Sequence, residues 1–464
     1  MKTEVFMLRY FWMILLGLAL TSGALAGEIQ VLTLEQCMDI AMQNNPGLKM
    51  AEKEASKAKA SIWEAYTGLL PAVNGSVNFQ KSWEIQQSSI PNFIKSMVGP
   101  SFPGYDEMPD VVRIAFGLEN TFTYGAQLTQ PLFLGGAGIA GVKMAYSSHD
   151  LTIENLDLTR QNLIYNTADA FYRCLTAREL VRVQEEALEQ AEANLDLVMK
   201  MYDVGSASGY DKMRAEVTVA NIKPEVIASR NNLQSAETGL RTVLGLPEST
   251  EIQVQGSLEF ENDNFGEAML NDLLEKAFTN RPEMAIIQAR KSIARSGVDM
   301  ARSEFLPKIF FSTDYSFLAM RNDYRFNQDD FSKGFTSALS LQVPLFNSFK
   351  RGVGFQKARL DYQIALDTEK QVRDGMAAEV EIVLNKFGEA REKYQAAEES
   401  VALAREALRL ANLMYEEGAS TQLDVLSSQL SFVRARLNHV MALYEYQMAR
   451  YALRRATVGL NDIL

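Results

Sequence analysis

The chain repeats itself, and that duplication limits the folds open to it more than any other feature of its 464 residues. Ala41-Met42-Gln43-Asn44-Asn45-Pro46 aligns with Ala277-Phe278-Thr279-Asn280-Arg281-Pro282, and the same offset carries Leu70-Pro71 onto Leu306-Pro307. A second, shorter offset carries Gln130-Pro131-Leu132-Phe133 onto Val343-Pro344-Leu345-Phe346. It also carries Met201-Tyr202-x-x-Gly205 onto Met414-Tyr415-x-x-Gly418 and Asp211 onto Asp424. Leu244-Gly245-Leu246 answers Val458-Gly459-Leu460. Anchors in constant order mark two copies of one supersecondary unit, here 27–264 and 265–464. The shortening of the offset puts an excess of residues in the first copy, between its two strand regions.

Each copy predicts the same series of elements, an α+β protomer. The longest helices run over about 135–204 and 347–417, roughly 105 Å at 1.5 Å per residue. That length belongs to coiled coils. Leu188, Ala191, Leu195, Val198 and Tyr202 sit at a/d spacing, and Val401, Ala404, Leu408, Ala411 and Tyr415 repeat the pattern. Shorter helices over 36–69 and 210–245 together match one long helix in length, which suggests that they stack end to end beside it. Between the helices the period changes to two, predicting strands at about 72–86, 118–131, 307–320 and 334–345. Val73, Val77, Phe79, Trp83, Phe122, Tyr124, Phe311, Tyr315 and Phe317 share one face, and Asn74, Ser76, Thr121, Thr123 and Ser312 take the other. Strands of this length suit a tilted crossing of a bilayer, with lipid against one face and water against the other. An antiparallel sheet packed on one face is the alternative. Four strands cannot close a barrel, so copies of the chain would have to pair. Pro71, Pro131, Pro307 and Pro344 punctuate the helix–strand junctions. The segments 86–117 and 321–334 read as exposed loops at the far end of the strands.

Composition narrows the chemistry. Two histidines (His149, His439) and two cysteines (Cys37, Cys174) cannot make the usual zinc site at these spacings. The cysteines read as unpaired small apolar residues and the histidines as surface or groove residues. No metal, cofactor or enzymatic chemistry is expected. A net charge of -12 has the wrong sign for nucleic acid. Residues 1–26 read as a secretory signal peptide, with a basic start, an apolar run from Phe11 to Leu20 and a small-x-small site at Ala24-Leu25-Ala26. Gly27, not cysteine, follows the cut, so lipoprotein-type acylation is not expected.

With its tandem repeat, the Asn45-Pro46 and Arg281-Pro282 helix starts, the Leu-Pro junctions, the Pro-Leu-Phe exits and the Tyr-x-x-Gly…Asp turns, the chain resembles the outer-membrane efflux protein family, the TolC-type channel tunnels. The resemblance spans Leu34 to Leu460. It implies a homotrimer in which three sets of four strands form a 12-stranded transmembrane β-barrel and the helices form a periplasmic tunnel. The implied function is the outer-membrane exit duct of a tripartite efflux or type I secretion system, passing small molecules, ions or proteins. A periplasmic adaptor, an inner-membrane pump and outer-membrane lipid are the implied partners. The alternative is a periplasmic coiled-coil adaptor or scaffold.

The resemblance also implies site residues. The breaks 203–211 and 416–424 match the family's periplasmic entrance. Asp424 matches an acidic ring position; Asp211 and Tyr415 match positions that tie neighbouring hairpins shut; Tyr202 is the first-copy counterpart of Tyr415. The family's second acidic ring falls on Ser427 and its network arginine on Ser420. Gly205, Ser206, Gly418, Ala419 and Ser420 form the tips where an adaptor would dock. Capping remains open as the role of the two aspartates, and a place in the coiled-coil seam as that of the two tyrosines.

Overall fold

A computed structural model describes residues 30–115, 117–260 and 270–460. The signal-peptide segment 1–26 and the boundary between the two sequence repeats at 264/265 lie outside the described residues. The helices are α1 (Leu34–Asn44), α2 (Pro46–Thr67), α3 (Phe93–Val98), α4 (Ala137–Asp203), α5 (Gly209–Leu244), α6 (Leu270–Asn280), α7 (Pro282–Ser303), α8 (Lys350–Glu416) and α9 (Gln422–Thr457). The strands are β1 (Gln30–Leu32), β2 (Ala72–Lys81), β3 (Gln87–Pro91), β4 (Val111–Ala115), β5 (Asn120–Phe133), β6 (Ile252–Val254), β7 (Lys308–Arg321) and β8 (Ser332–Gln342).

Corresponding helices of the two copies have identical lengths. α1 and α6 have 11 residues, α2 and α7 have 22, α4 and α8 have 67, and α5 and α9 have 36. The expected single helix over 36–69 is broken at Asn45. A residue before proline is pushed out of the helical region, and Asn45 sits at ψ 123°. Its Oδ1 then accepts from the N–H groups of Gly47 and Leu48 at 2.8 and 3.2 Å, capping α2.

Two compact units divide the chain, and each takes segments from both copies. The helical unit comprises the described residues up to Ser56, Leu151–Gln288 and those from Asp367. It holds two main cores. Cys37, Met38, Ile164, Cys174, Leu175, Leu240 and Leu244 centre the first. Leu273, Ile287, Val380, Phe387, Tyr446 and Leu453 centre the second. The sequence did not announce the parallel pair β1–β6, with Leu32 opposite Val254. Arg178 fastens it by donating to the carbonyls of Val254 and Gly256 at 2.7 and 2.5 Å. Of the α4 seam, Ala191 and Val198 are buried and Leu188 and Leu195 half-buried; of the α8 seam, Leu408 and Ala411 are buried.

The second unit comprises Lys57–Asp150 and Ala289–Leu366. Its main sheet is antiparallel, in the order β2-β5-β7-β8. The predicted strands shift at their ends. β2 stops at Lys81, short of 86, because its partner begins at Asn120, not 118; only the Ser82 N–H to Glu119 carbonyl bond follows. Trp83 and Ile85 therefore leave the ladder. β5 runs to Phe133, so Pro131 lies inside a strand, where β2 no longer pairs and the register with β7 shifts. β8 covers 332–342, earlier than the expected 334–345. The segment 86–117 is more than a loop, since β3 and β4 pair as a hairpin around α3. Asn92 holds that hairpin by capping α3 and donating to the Pro109 carbonyl.

Candidate functional site

The sequence pointed to two places, the helix-to-helix turns and the apolar sheet face. The turns are built alike. After α4, Gly205 (φ 78°) donates to the Tyr202 carbonyl and Ser206 donates to that of Met201. After α8, Gly418 (φ 73°) donates to the Tyr415 carbonyl and Ala419 to that of Met414. Both are left-handed glycine C-caps with the paired 5→2 and 6→1 bonds of the Schellman motif. A side chain at either glycine would meet no atom, so the left-handed φ alone favours glycine.

Capping boxes start the next helices. Ser208 accepts from the Asp211 N–H at 3.1 Å, and Asp211 Oδ2 accepts from the Ser208 N–H and hydroxyl. Asp424 Oδ2 accepts three bonds, from the Thr421 N–H (3.0 Å), the Thr421 hydroxyl (2.6 Å) and the Ser420 hydroxyl (3.0 Å). Those donors, the Thr421 hydroxyl first, hold its carboxyl below the usual aspartate range. Ser420 thus supports Asp424. Burial, with the nearby charge of Asp211, pushes the Tyr415 hydroxyl up and keeps it neutral. Tyr202 departs from the seam: it is 44% exposed, with the Lys212 ammonium 5.3 Å from its ring centre.

On the sheet, the register puts Val73, Val77, Phe79, Phe122, Tyr124, Phe311, Tyr315, Phe317, Phe335, Leu339 and Leu341 on one face. Val73, Val77, Phe79, Tyr315, Phe335, Leu339 and Leu341 are exposed. Tyr124 stacks on Phe317 with ring centres 4.8 Å apart. Trp83 is off this face, 85% exposed, with Lys81 over its ring. Sequence reasoning missed three aromatics in the loop after β7. Tyr324 and Phe326 pack on Phe79, and Phe331 packs on Phe122 and Tyr124. Their spacing follows no period, so only the fold reveals them.

Among the described residues no group of three or more His, Cys, Asp or Glu is placed to hold a metal ion. Burial pushes both cysteine thiols up to about 12, which makes them inert packing groups.

The model of the outer membrane efflux protein family matches residues 37–246 and 273–459. The chain belongs to that family. As a member it is an outer-membrane exit duct of the efflux and secretion type. The pyoverdine export outer membrane protein OpmQ of Pseudomonas putida is 24% identical over 398 residues, covering 85% of this chain and 78% of its own. The outer membrane protein TolC of Escherichia coli is 23% identical over 428 residues, covering 89% and 79%. The crystal structure of the CmeC outer membrane channel of Campylobacter jejuni superposes with a TM-score of 0.74 at 18% identity, covering 92% of this chain and 85% of that one. At that identity the likeness establishes the shared fold.

Proposed function

We propose that three copies of this chain close into one duct, each contributing β2, β5, β7 and β8 to a 12-stranded barrel through the outer membrane. The observation that carries this reading is the four-stranded sheet, whose two outer strands have no partner on their outer sides among the described residues, and its one broad face of exposed aliphatic and aromatic side chains. Such edges are templates for pairing, and closure removes them. Such a face suits lipid, while the opposite face, mostly Asn, Gln, Ser and Thr with Asp314 but also carrying Phe310, Leu318 and Met320, suits a water-filled lumen. Phe79, Phe122, Tyr124, Phe311, Tyr315 and Phe317 belong to the lipid-facing band.

Each repeat, 27–264 and 265–464, would supply two staves and one pair of helices to a periplasmic tunnel. The turns would form the entrance. Asp211, Tyr202, Tyr415 and Asp424 are its gate residues, and three Asp424 carboxylates around one axis favour cations over anions. Gly205, Ser206, Gly418, Ala419 and Ser420 would receive a periplasmic adaptor that links the duct to an inner-membrane pump. Transport through the duct is passive, with energy supplied by that pump.

The mature chain, extracted in detergent, should have the mass of a trimer and open cation-selective pores in planar bilayers. Asp424→Asn removes the charge while keeping an oxygen for Thr421, so it should lower cation selectivity without unfolding the turn. A monomer that dissolves in plain buffer overturns the duct, and unchanged selectivity overturns the role of Asp424.

A further inference from the structure

The apolar face of the sheet is charged at one end only. Along β2 it runs through Val73, Val77 and Phe79 and ends in Lys81. Along β8, followed outward, it runs through Leu341, Leu339 and Phe335 and ends in Lys333. Arg321 ends β7 on the same face, in one row with Lys81 through Asn120. These three cations are the charged residues that the ladder places on this face, and all stand toward the end that the duct reading puts at the outer surface. Lys308, at the other end of β7, alternates to the opposite face. Asp323 and Asp330 neutralise Arg321 at 2.8 and 2.9 Å. Neither Lys81 nor Lys333 forms an ion pair with a carboxylate among the described residues.

Lys81 is also held in place. Its ammonium donates to the Tyr324 hydroxyl at 2.8 Å and lies 4.3 Å from the Trp83 ring centre and 5.2 Å from that of Tyr324. Tyr324 is fixed in turn against Phe79, with ring centres 6.2 Å apart. An ammonium has three donors, so this arrangement leaves some of them for a ligand while lowering the entropic cost of ordering the side chain on it. Below the lysine lie the exposed side chains of Val77, Phe79 and Phe335. Apolar rows that end in aromatic rings and an unpaired cation match a molecule with acyl chains and an anionic headgroup. Closure of the ring completes the site. Successive strands are antiparallel, so β2 runs outward and β8 inward, and Lys333 of the adjoining copy comes to the same face and the same end as Lys81.

We infer that each seam of the duct binds the phosphate group of an outer-leaflet glycolipid, with Lys81 of one copy and Lys333 of the adjoining copy as its cationic ligands, Tyr324 as the residue that positions Lys81, and the acyl chains on Val77, Phe79 and Phe335. The inference rests on the duct reading above and gives its lipid partner a headgroup chemistry and a place.

The full-length mature protein in detergent is titrated with diphosphoryl lipid A and with the same glycolipid stripped of phosphate, and bound lipid is counted by native mass spectrometry. A trimer should take up to three diphosphoryl molecules and hold the stripped glycolipid about twentyfold more weakly. Lys81→Gln and Lys333→Gln should each weaken diphosphoryl binding about fivefold, the effect of one lysine at an anionic surface, while Lys81→Arg should stay near the parent. Tyr324→Phe keeps the ring on Phe79 and releases the ammonium, and should weaken binding about threefold. Each of these losses should vanish with the stripped glycolipid, which a general loosening of the rim would not allow. If Lys81→Gln fails to assemble, Lys333→Gln on a different strand carries the same test. Equal binding of the two glycolipids by a trimeric parent overturns the inference, as do glutamine variants that discriminate as the parent does. Inorganic phosphate that displaces the glycolipid at equal concentration marks a site for the free ion and overturns the lipid as its occupant. A parent that stays monomeric sinks the duct reading and the Lys333 half of the site, and the discrimination lost or kept in Lys81→Gln then decides the other half.

Discussion

At the scale of single residues, the two copies solve one backbone problem with different chemistry. After β5 the chain enters α4 through Gly135 and Gly136, both left-handed (φ 65° and 92°). The offset that aligns the copies carries these onto Ser348 and Phe349, which adopt the same left-handed region (φ 55° and 64°) without being glycine. Left-handed backbone costs an L-residue roughly 1–2 kcal/mol, so the second junction holds strain that the first avoids. Ser348→Gly should therefore raise stability by about 0.5–1 kcal/mol, after the extra freedom of glycine in the unfolded chain is counted. Thermal unfolding of the detergent-held protein measures it. The converse change is asymmetric: a Cβ at Gly135 would lie 2.6 Å from the Ser303 carbonyl oxygen and 2.9 Å from Leu306 Cβ. Gly135→Ala should cost more than the Ser348 change gains. If Ser348→Gly lowers the melting midpoint, the seryl side chain is making a contact worth more than the strain. None of this was legible in the sequence. The repeat aligned Gly135-Gly136 with Ser348-Phe349, but only the dihedral angles reveal that the conformation stayed when the glycines did not.

Elements show why the sequence reading succeeded and where it stopped. The strands were legible because their faces obey a period of two, and the cross-strand register brings together the residues that the period grouped, Tyr124 opposite Phe317 and Tyr315 opposite Phe335. Strand ends were not legible, since β2 stops where β5 runs out of partners, a fact about a different segment. The same holds at the helix break repeated in both copies. Asn45 caps α2 and donates to the Val243 carbonyl at 2.9 Å. Its counterpart Arg281, 5% exposed, instead bonds Glu283 at 2.6 Å and Glu379 of α8 at 2.7 Å. Burial acts to raise the Glu283 carboxyl, but the hydrogen bond and charge of Arg281 prevail and hold it below the ordinary range. A depressed carboxyl stabilises the fold above its unfolded-state pKa, and that contribution is lost as pH falls through the lower folded value. Arg281→Ala should cost about 3 kcal/mol near neutrality, the low end for a buried pair because Glu379 is half in solvent. The melting points of parent and variant should converge as pH drops below the carboxylate range. A gap that persists in acid would mean that Arg281 acts through packing instead of charge.

For the whole molecule, the question is what the free edges of β2 and β8 do. Neither strand carries the devices that soluble proteins use to discourage edge pairing. Prolines stand outside them, at Pro71 and Pro344, and each has a single lysine near one end, Lys81 and Lys333. Ten and eleven residues of unprotected edge, beside an exposed apolar face, make a monomer that is incomplete in water and in lipid alike. Along an edge strand successive N–H groups point alternately inward to the neighbouring strand and outward to the free side. Ala338 and Leu339 are adjacent in β8, so one of them directs its N–H to β7 and the other directs it outward. Proline at the inward position removes a bond inside the protomer. At the outward position it removes one that only a second copy can receive. Ala338→Pro and Leu339→Pro should therefore behave differently. One should misfold, while the other keeps the protomer's secondary structure by circular dichroism yet fails to run as a trimer and loses conductance. If both variants still assemble and conduct, β8 does not close the ring and the edges must be covered in another way. Because the two substitutions are neighbours with opposite directions, a general weakening of the strand cannot imitate the expected split.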